Sequence, residues 1–281
     1  MKNTYIQMPS GVQMPKIIYG TAWKKEQTAA LVVRAIKNGF RGVDTACQPK
    51  HYFEPGVGQA LKELDAIGIL REEIFLQTKF TSMTGQDPNN VPYDPNATLC
   101  EQVMQSFAVS KRNLGTDYID SWVLHSPFNT HKQTMEVWRA MEEIYHQSGV
   151  KQLGISNCYD LKIMEQLYDE TSVKPSVLQN RFYPDTHFDK ELRSFCIENK
   201  IVYQSFWTLT ANPALLQSKA ITGMALAIHK TPAQILFRYL TQVGIAPLTG
   251  TTSDVHMVED LAIFSFELSE VDINKIHQLI A

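Results

Sequence analysis

Long apolar runs are missing from this chain of 281 residues. No stretch approaches the ~18 consecutive apolar residues of a membrane-spanning helix, so no membrane partner is expected. Runs of basic residues are missing too. The 26 Lys and Arg never stand more than two in a row and the net charge is −3, so no nucleic-acid-tracking surface is expected either. The 4 cysteines, Cys47, Cys100, Cys158 and Cys196, lack the close pairs of a metal knuckle and are too sparse for a disulfide framework. They read as reduced thiols, which predicts a cytoplasmic protein. Residues 1–15 carry Lys2, Gln7, Pro9, Ser10 and Pro15, a pattern unlike a secretory leader. No Gly-x-Gly-x-x-Gly follows the first strand-like run, which speaks against an open doubly wound dinucleotide fold.

What is present is alternation. Residues 5–15 read as a small hairpin turning at Ser10-Gly11. Short apolar runs without period-2 alternation follow at 16–21, 40–44, 74–79, 119–124, 152–156, 177–180, 201–205 and 245–248. Strands of that kind are covered on both faces, as in a parallel sheet. Helical patterns separate them at 26–38, 55–64, 97–114, 135–146, 161–168, 191–199 and 232–241. A shorter helix ends near 226–229, and a last one follows Ser269. Eight evenly spaced units without a break in composition predict one domain over 1–281, a closed (β/α)8 TIM barrel with an N-terminal β-hairpin. The connection 81–96, with Gly85, Pro88, Asn89, Asn90, Pro92 and Pro95, is long and rich in turn residues, which predicts a functional loop.

In such a barrel, chemistry is done where the strands end. The second predicted strand ends in Asp44, the third in Lys79 and the fourth runs into His125, with Tyr52 in the loop after Asp44. Each has a plain reading alone: a cap, a solvated ammonium, a structural imidazole. Together they make a set suited to acid catalysis by a phenol. Tyrosine titrates near ~10 unperturbed. A neighbouring ammonium lowers that value, and Asp44 would hold Lys79 charged and in place. His125 would orient a carbonyl oxygen, and Tyr52 would protonate the alkoxide as a hydride reaches carbon.

Gly-Phe-Arg-Gly-Val-Asp-Thr-Ala at 39–46, Glu54 with Gly58-Gln59-Ala60-Leu61, Thr78-Lys79, Tyr118-Ile119-Asp120 with His125 and Pro127, and Leu153-Gly154-Ile155-Ser156-Asn157 recur in order. On these motifs the chain resembles the aldo-keto reductases along nearly its whole length. The resemblance implies an eight-stranded barrel, a nicotinamide cofactor and the tetrad Asp44, Tyr52, Lys79 and His125. It implies reduction of a small-molecule aldehyde or ketone to the alcohol, with NADPH as cofactor and NADH possible. The family tyrosine commonly lies five residues after the aspartate, where this chain has Pro49. Alignment back from Glu54 puts His51 in the slot with Tyr52 beside it, so an insertion must deliver Tyr52. Ser126 stands where many relatives carry tryptophan, which predicts a smaller, more polar pocket wall.

For the cofactor, the resemblance implies Ser156, Asn157 and Gln179 at the carboxamide, whose amide needs both a donor and an acceptor, with Thr21 a further cofactor contact. Phe206, with Trp207 as rival, would stack on the ring. Thr249, Thr251, Thr252 and Ser253 open a short helix and form an anion site for phosphate. His256 and Asp260 follow, with Leu248 and His256 standing where phosphate-preferring relatives carry lysine and arginine. Trp23, Ser126 and Trp207 are expected to line the substrate site, and no metal is expected. Two other functions compete. His51, Glu54 and His125 make a weaker metal set for a hydrolase, and a non-catalytic cofactor-binding barrel acting as a redox-sensing or regulatory partner would need no Tyr52. A monomer or weak homodimer is expected.

Overall fold

The apolar runs become strands because their branched and aromatic side chains are covered on both faces of a closed sheet. In this computed structural model, residues 4–280 are described. β1 (Tyr5–Gln7) and β2 (Gln13–Pro15) form the antiparallel hairpin, with Tyr5 opposite Pro15. Gly11 turns it at φ +86°, a backbone region that glycine enters without strain. Eight parallel strands follow: β3 (Ile18–Gly20), β4 (Gly42–Asp44), β5 (Phe75–Phe80), β6 (Ser121–Leu124), β7 (Leu153–Ser156), β8 (Val177–Arg181), β9 (Val202–Phe206) and β10 (Ala246–Thr249). They close in the order β10-β3-β4-β5-β6-β7-β8-β9, the predicted barrel. β4 starts later than residue 40 because the Phe40 N–H closes the end of the preceding helix on the Ala35 carbonyl at 3.1 Å.

The helices wrap this barrel: α1 (Thr28–Asn38), α2 (Glu54–Asp65), α3 (Leu99–Leu114), α4 (His131–His146), α5 (Leu161–Glu170), α6 (Lys190–Glu198), α7 (Pro213–Leu216), α8 (Lys219–Ala227), α9 (Pro232–Gln242), α10 (Asp254–Leu261) and α11 (Glu270–Leu279). Caps set their starts. Thr98 and Glu101 form a capping box that begins α3 after the predicted residue 97, and Thr130 begins α4 well before residue 135 by accepting from the Gln133 N–H. α7 escaped the sequence reading. The hairpin plugs the amino-terminal end of the barrel, where Met8, Val12 and Met14 pack on Ile18, Phe75, Val177, Val202 and Ala246. The opposite end stays open.

Loop 81–96 does not line that opening. It folds back on itself: the Tyr93 hydroxyl donates to the Thr81 carbonyl at 2.7 Å, and Gln86 Nε2 donates to the carbonyls of Cys47 and Thr81. Its role is to brace the segments after β4 and β5.

The packing of α2 on α3 depends on one missing side chain. A Cβ at Gly58 would lie 2.0 Å from the Asn113 carbonyl oxygen, whereas one at Gly223 in α8 meets nothing within 4 Å. Gly58→Ala is expected to destabilise the protein by about 2–3 kcal/mol through forced backbone movement. Gly223→Ala is expected to stabilise it by up to about 1 kcal/mol through helix propensity. Urea unfolding of both variants checks the contrast.

Candidate active site

Asp44 closes β4 at the open end of the barrel and is buried. Lys79 stands on β5, 0% exposed, and its Nζ lies 2.6 Å from each Asp44 carboxylate oxygen. The third ammonium proton goes to the Thr45 carbonyl at 2.8 Å. Two amides complete the frame. Gln77 Nε2 and Gln179 Nε2 donate to Asp44 Oδ1 at 2.8 and 3.1 Å, and both also donate to Gln204 Oε1. Thus β4, β5, β8 and β9 meet in one polar layer across the barrel. Burial lowers the Lys79 pKa, and Asp44 opposes that shift.

The loop after β4 makes a single turn on Gln48, whose carbonyl accepts from both the His51 and Tyr52 N–H groups. That turn separates the two rings. Tyr52 goes inward: Lys79 Nζ lies 5.2 Å from its ring centre, and its ring meets that of His125 edge-on at 6.0 Å. His51 goes to the rim, bonded to Gln48 Oε1 and stacked on Trp23 at 4.0 Å. Burial and the Asp44 charge push the Tyr52 pKa upward from 10.0. This differs from the expectation that Lys79 lowers it: burial and the Asp44 charge outweigh the neighbouring ammonium.

His125 follows β6, and its Nδ1 lies 2.6 Å from Thr81 Oγ1. Burial, followed by the Lys79 charge, lowers its pKa from 6.5 to about 3, so the imidazole is neutral. Thr81 went unnoticed in the sequence. The available signal was its place two residues after Lys79, which puts both side chains on the same face of an extended segment.

Glu54 does not join a metal set. Its carboxylate accepts from Thr78 and Ser110 hydroxyls at 2.6 and 2.9 Å and from Asn113 Nδ2 at 3.2 Å, which ties α2 to β5 and α3. Among the described residues no group of His, Cys, Asp and Glu has the arrangement to hold a metal ion.

A cavity of about 920 Å³ opens above this layer. Asp44, Tyr52 and His125 line one end, Trp23 and Trp207 the rim, and Thr249, Thr251, His256 and Asp260 the end toward α10. Ser156, Asn157, Gln179 and Phe206 line the part between. Ser156 Oγ donates to the Gln179 carbonyl at 2.6 Å, and Asn157 Nδ2 donates to the His125 carbonyl at 2.9 Å. Gln179 Oε1 has no partner among the described residues, so it presents a free acceptor. The Phe206 ring has no aromatic or cationic partner there, whereas the guanidinium of Arg181 lies over Trp207. Phe206 therefore offers the open face for stacking. Trp23 and Trp207 hold positive φ, 65° and 54°, a costly conformation for bulky residues that fixes the rim aromatics in place.

Several expected contacts lie elsewhere. Thr21 is buried and donates to the Asp44 carbonyl at 2.9 Å, supporting the end of β4 rather than facing the cavity. Ser126, Thr252 and Ser253 are outside the lining. Ser253 caps α10 by accepting from the His256 N–H. Three residues unforeseen in the sequence join this region. Lys24 donates to the Gly250 carbonyl and lines the cavity. Arg34 of α1 pairs with Asp254 at 2.6 Å beside the Thr252 carbonyl. Arg181 also lines the cavity. Burial raises Asp260 to about 6, with Thr249 Oγ1 bonded to it at 2.7 Å.

The dimensions and donor set of this cavity suit a nicotinamide dinucleotide: a carboxamide acceptor at Gln179, an open ring at Phe206 and hydroxyls with a helix start at the far end. Comparison with known proteins agrees. The sequence model of the Aldo/keto reductase family matches residues 16–281. The glyoxal reductase of Bacillus subtilis is 31% identical over 99% of this chain and 93% of its own length. A methylglyoxal reductase of Salmonella typhimurium is 26% identical over 98% of this chain and 93% of its own. The crystal structure of an aldo/keto reductase from Brucella melitensis superposes with a TM-score of 0.82 at 28% identity, covering 98% of both chains. The chain belongs to the aldo/keto reductase family, NAD(P)H-dependent oxidoreductases that act on carbonyl groups.

Proposed function

We propose that this protein reduces small aldehydes and ketones to alcohols, with Tyr52 as the proton donor and NADPH as the preferred cofactor. The observation that carries the reading is the convergence of Tyr52, Lys79 and His125 around buried Asp44 at the floor of the cavity. The names of the two relatives, a glyoxal and a methylglyoxal reductase, support small reactive carbonyls as the substrate class.

When bound, the reduced nicotinamide supplies the hydride. The protein's share is to hold the carbonyl and deliver a proton. Thr81 Oγ1 engages Nδ1 and leaves Nε2 of neutral His125 for the substrate. The tautomer that this step requires, protonated on Nε2 with Nδ1 accepting from Thr81, donates a hydrogen bond to the carbonyl oxygen. The Tyr52 hydroxyl then gives its proton to that oxygen as negative charge develops on it. An alkoxide is far more basic than a phenolate, so a tyrosine of raised pKa still transfers its proton downhill. Lys79 stands near the phenolate that forms and stabilises it, while Asp44 and the two glutamines fix the ammonium in position.

At the other end, Thr249, Thr251, His256 and the start of α10 form the phosphate-facing surface, with Arg34, paired with Asp254, reaching the Thr252 carbonyl beside it. The hydroxyls, the helix start and Lys24 at this edge would hold the additional phosphate of NADPH, against the carboxylates Glu259 and Asp260 there. Asn157, Ser156 and Gln179 would meet the carboxamide, and Phe206 the ring.

Three outcomes test the reading. Tyr52→Phe is expected to lower kcat for methylglyoxal or a reactive aromatic aldehyde by ~100-fold or more, as loss of a general acid does. Equal turnover in parent and variant would remove Tyr52 from that role. The parent's kcat for reduction is expected to stay level from about pH 5 to about pH 9. His125 protonates only near about 3 and Tyr52 loses its proton only above its ordinary 10.0, so neither changes state in that interval. A decline below pH 6.5, where an ordinary histidine charges, that persists in Asp260→Asn, whose parent carboxyl is raised to about 6, would contradict it. Finally, kcat/KM is expected to favour NADPH over NADH by ~10-fold or more, and Arg34→Ala to shrink that ratio. A parent that binds either cofactor and reduces no carbonyl would support the redox-sensing alternative instead.

A further inference from the structure

Arg181 is a cation placed at the cavity with no anion to meet. It ends β8, where side chains alternate. Asn180 turns away from the barrel interior, bonded to the Cys158 backbone and to Asp189. Gln179 turns inward to Asp44. Arg181 therefore shares the inward face with Gln179, about 7 Å further along the strand. That is one layer above the Asp44 frame, toward the rim.

Its surroundings hold the guanidinium without neutralising it. The Cζ atom lies 4.2 Å from the Trp207 ring centre and 5.2 Å from that of Tyr183. Aromatic faces of this kind orient a guanidinium plane and leave its N–H edge available. The Tyr159 hydroxyl accepts from the Arg181 backbone N–H at 3.1 Å, which anchors the end of the strand. Arg34, Arg71 and Arg238 each reach a carboxylate. Arg181 reaches none among the described residues, and its Nε is buried there without a hydrogen-bond partner. With Nε turned into the protein, the guanidinium has only its terminal N–H groups to offer a partner, and the cavity that Arg181 lines is where a partner can reach them. The charges around it agree. At the floor of the cavity the carboxylate is Asp44, already paired with Lys79, while Glu259 and Asp260 belong to the far end with α10.

We propose that Arg181 is a specificity-determining residue that binds an anionic group, a carboxylate or a phosphate ester, on the carbonyl substrate. The proposal rests on the reductase reading above and extends it. The carbonyl oxygen sits between Tyr52 and His125, and the anionic group lies one layer up against the guanidinium edge. The preferred substrates of this site are then small aldehydes or ketones that carry a negative charge on the side away from the reacting carbon.

The test compares charged and neutral carbonyls of matching shape at saturating NADPH. One pair is 4-carboxybenzaldehyde and its methyl ester. A second is glyceraldehyde 3-phosphate and glyceraldehyde, and the two pairs tell carboxylate from phosphate. The measured quantity is the ratio of kcat/KM for the charged over the neutral member, which cancels any shared change in cofactor binding or stability. Arg181→Met is expected to lower that ratio by ~10- to 100-fold in at least one pair, as loss of a charge-assisted hydrogen bond does. Arg181→Lys, which keeps the charge without the planar fork, is expected to fall between. In the parent the ratio should decline with added salt. A ratio unchanged within about twofold in both pairs overturns the proposal, and the salt dependence of the parent decides alone if both variants fail to fold. An equal loss for both members with weaker NADPH binding also overturns it, because Arg181 then serves the cofactor. If the parent reduces the neutral members and shows no preference for the charged ones, the reductase reading stands and this proposal falls. If the parent reduces nothing, tryptophan-fluorescence titration of the NADPH complex with the same compounds still decides. Tighter binding of the charged members, lost in Arg181→Met, supports the anion site, and equal binding removes it.

Discussion

Lys79 has no contact with solvent, and an ammonium in that position is tolerable only because Asp44 faces it with both oxygens. The rest of the site is arranged around that pair. Gln77 and Gln179 fill the remaining positions on Asp44 Oδ1, and Gln204 accepts from both, so three strands besides β4 are keyed to one carboxylate. Removing either charge leaves the other uncompensated in a dry layer, which makes the pair a structural requirement as well as a chemical one. Above it the cavity begins, and the hairpin closes the barrel below.

The same pair shapes the acid–base character of the residues over it. Lys79, with its three protons bound to Asp44 and Thr45, does not set the protonation of Tyr52 in the resting site. Burial and the Asp44 charge set it and keep the phenol protonated. Lys79 does act on His125, where its charge adds to burial and keeps the imidazole neutral. Thr81 then fixes the ring, and the connection 81–96 fixes Thr81 through Tyr93 and Gln86. A loop that reads as functional from its composition works through the histidine.

The barrel was legible because each strand is a doubly covered apolar run and each helix carries its own stop and start, such as the glycine exit of α1 at φ 116° and the Thr98 cap of α3. The positions of Asp44, Lys79 and His125 followed from those strand ends. Tyr52 against His51 did not, because spacing alone says nothing of the turn on Gln48 that sends one ring inward and the other to the rim. The glutamine layer and the Thr81 contact needed register between strands distant in sequence, which no local pattern encodes. Thr21 and Ser253 look like cofactor contacts in sequence because hydroxyls suit both ligands and backbone. Here the backbone takes them, at the end of β4 and the start of α10. Arg181 stayed hidden because a lone arginine at a strand end is ordinary until its neighbours are known to be two aromatic rings and no acid.

The central claim is that a neutralised Lys79–Asp44 pair holds Tyr52 as a firmly protonated acid. The most direct measurement is a carbon-13 NMR titration of the protein labelled at tyrosine Cζ, with the Tyr52 signal assigned by its disappearance in Tyr52→Phe. The account predicts that this signal stays at the phenol position beyond the ordinary value of 10.0. A phenolate signal emerging for Tyr52 near neutral pH would contradict it and would mean that Lys79, not Asp44, governs the tyrosine.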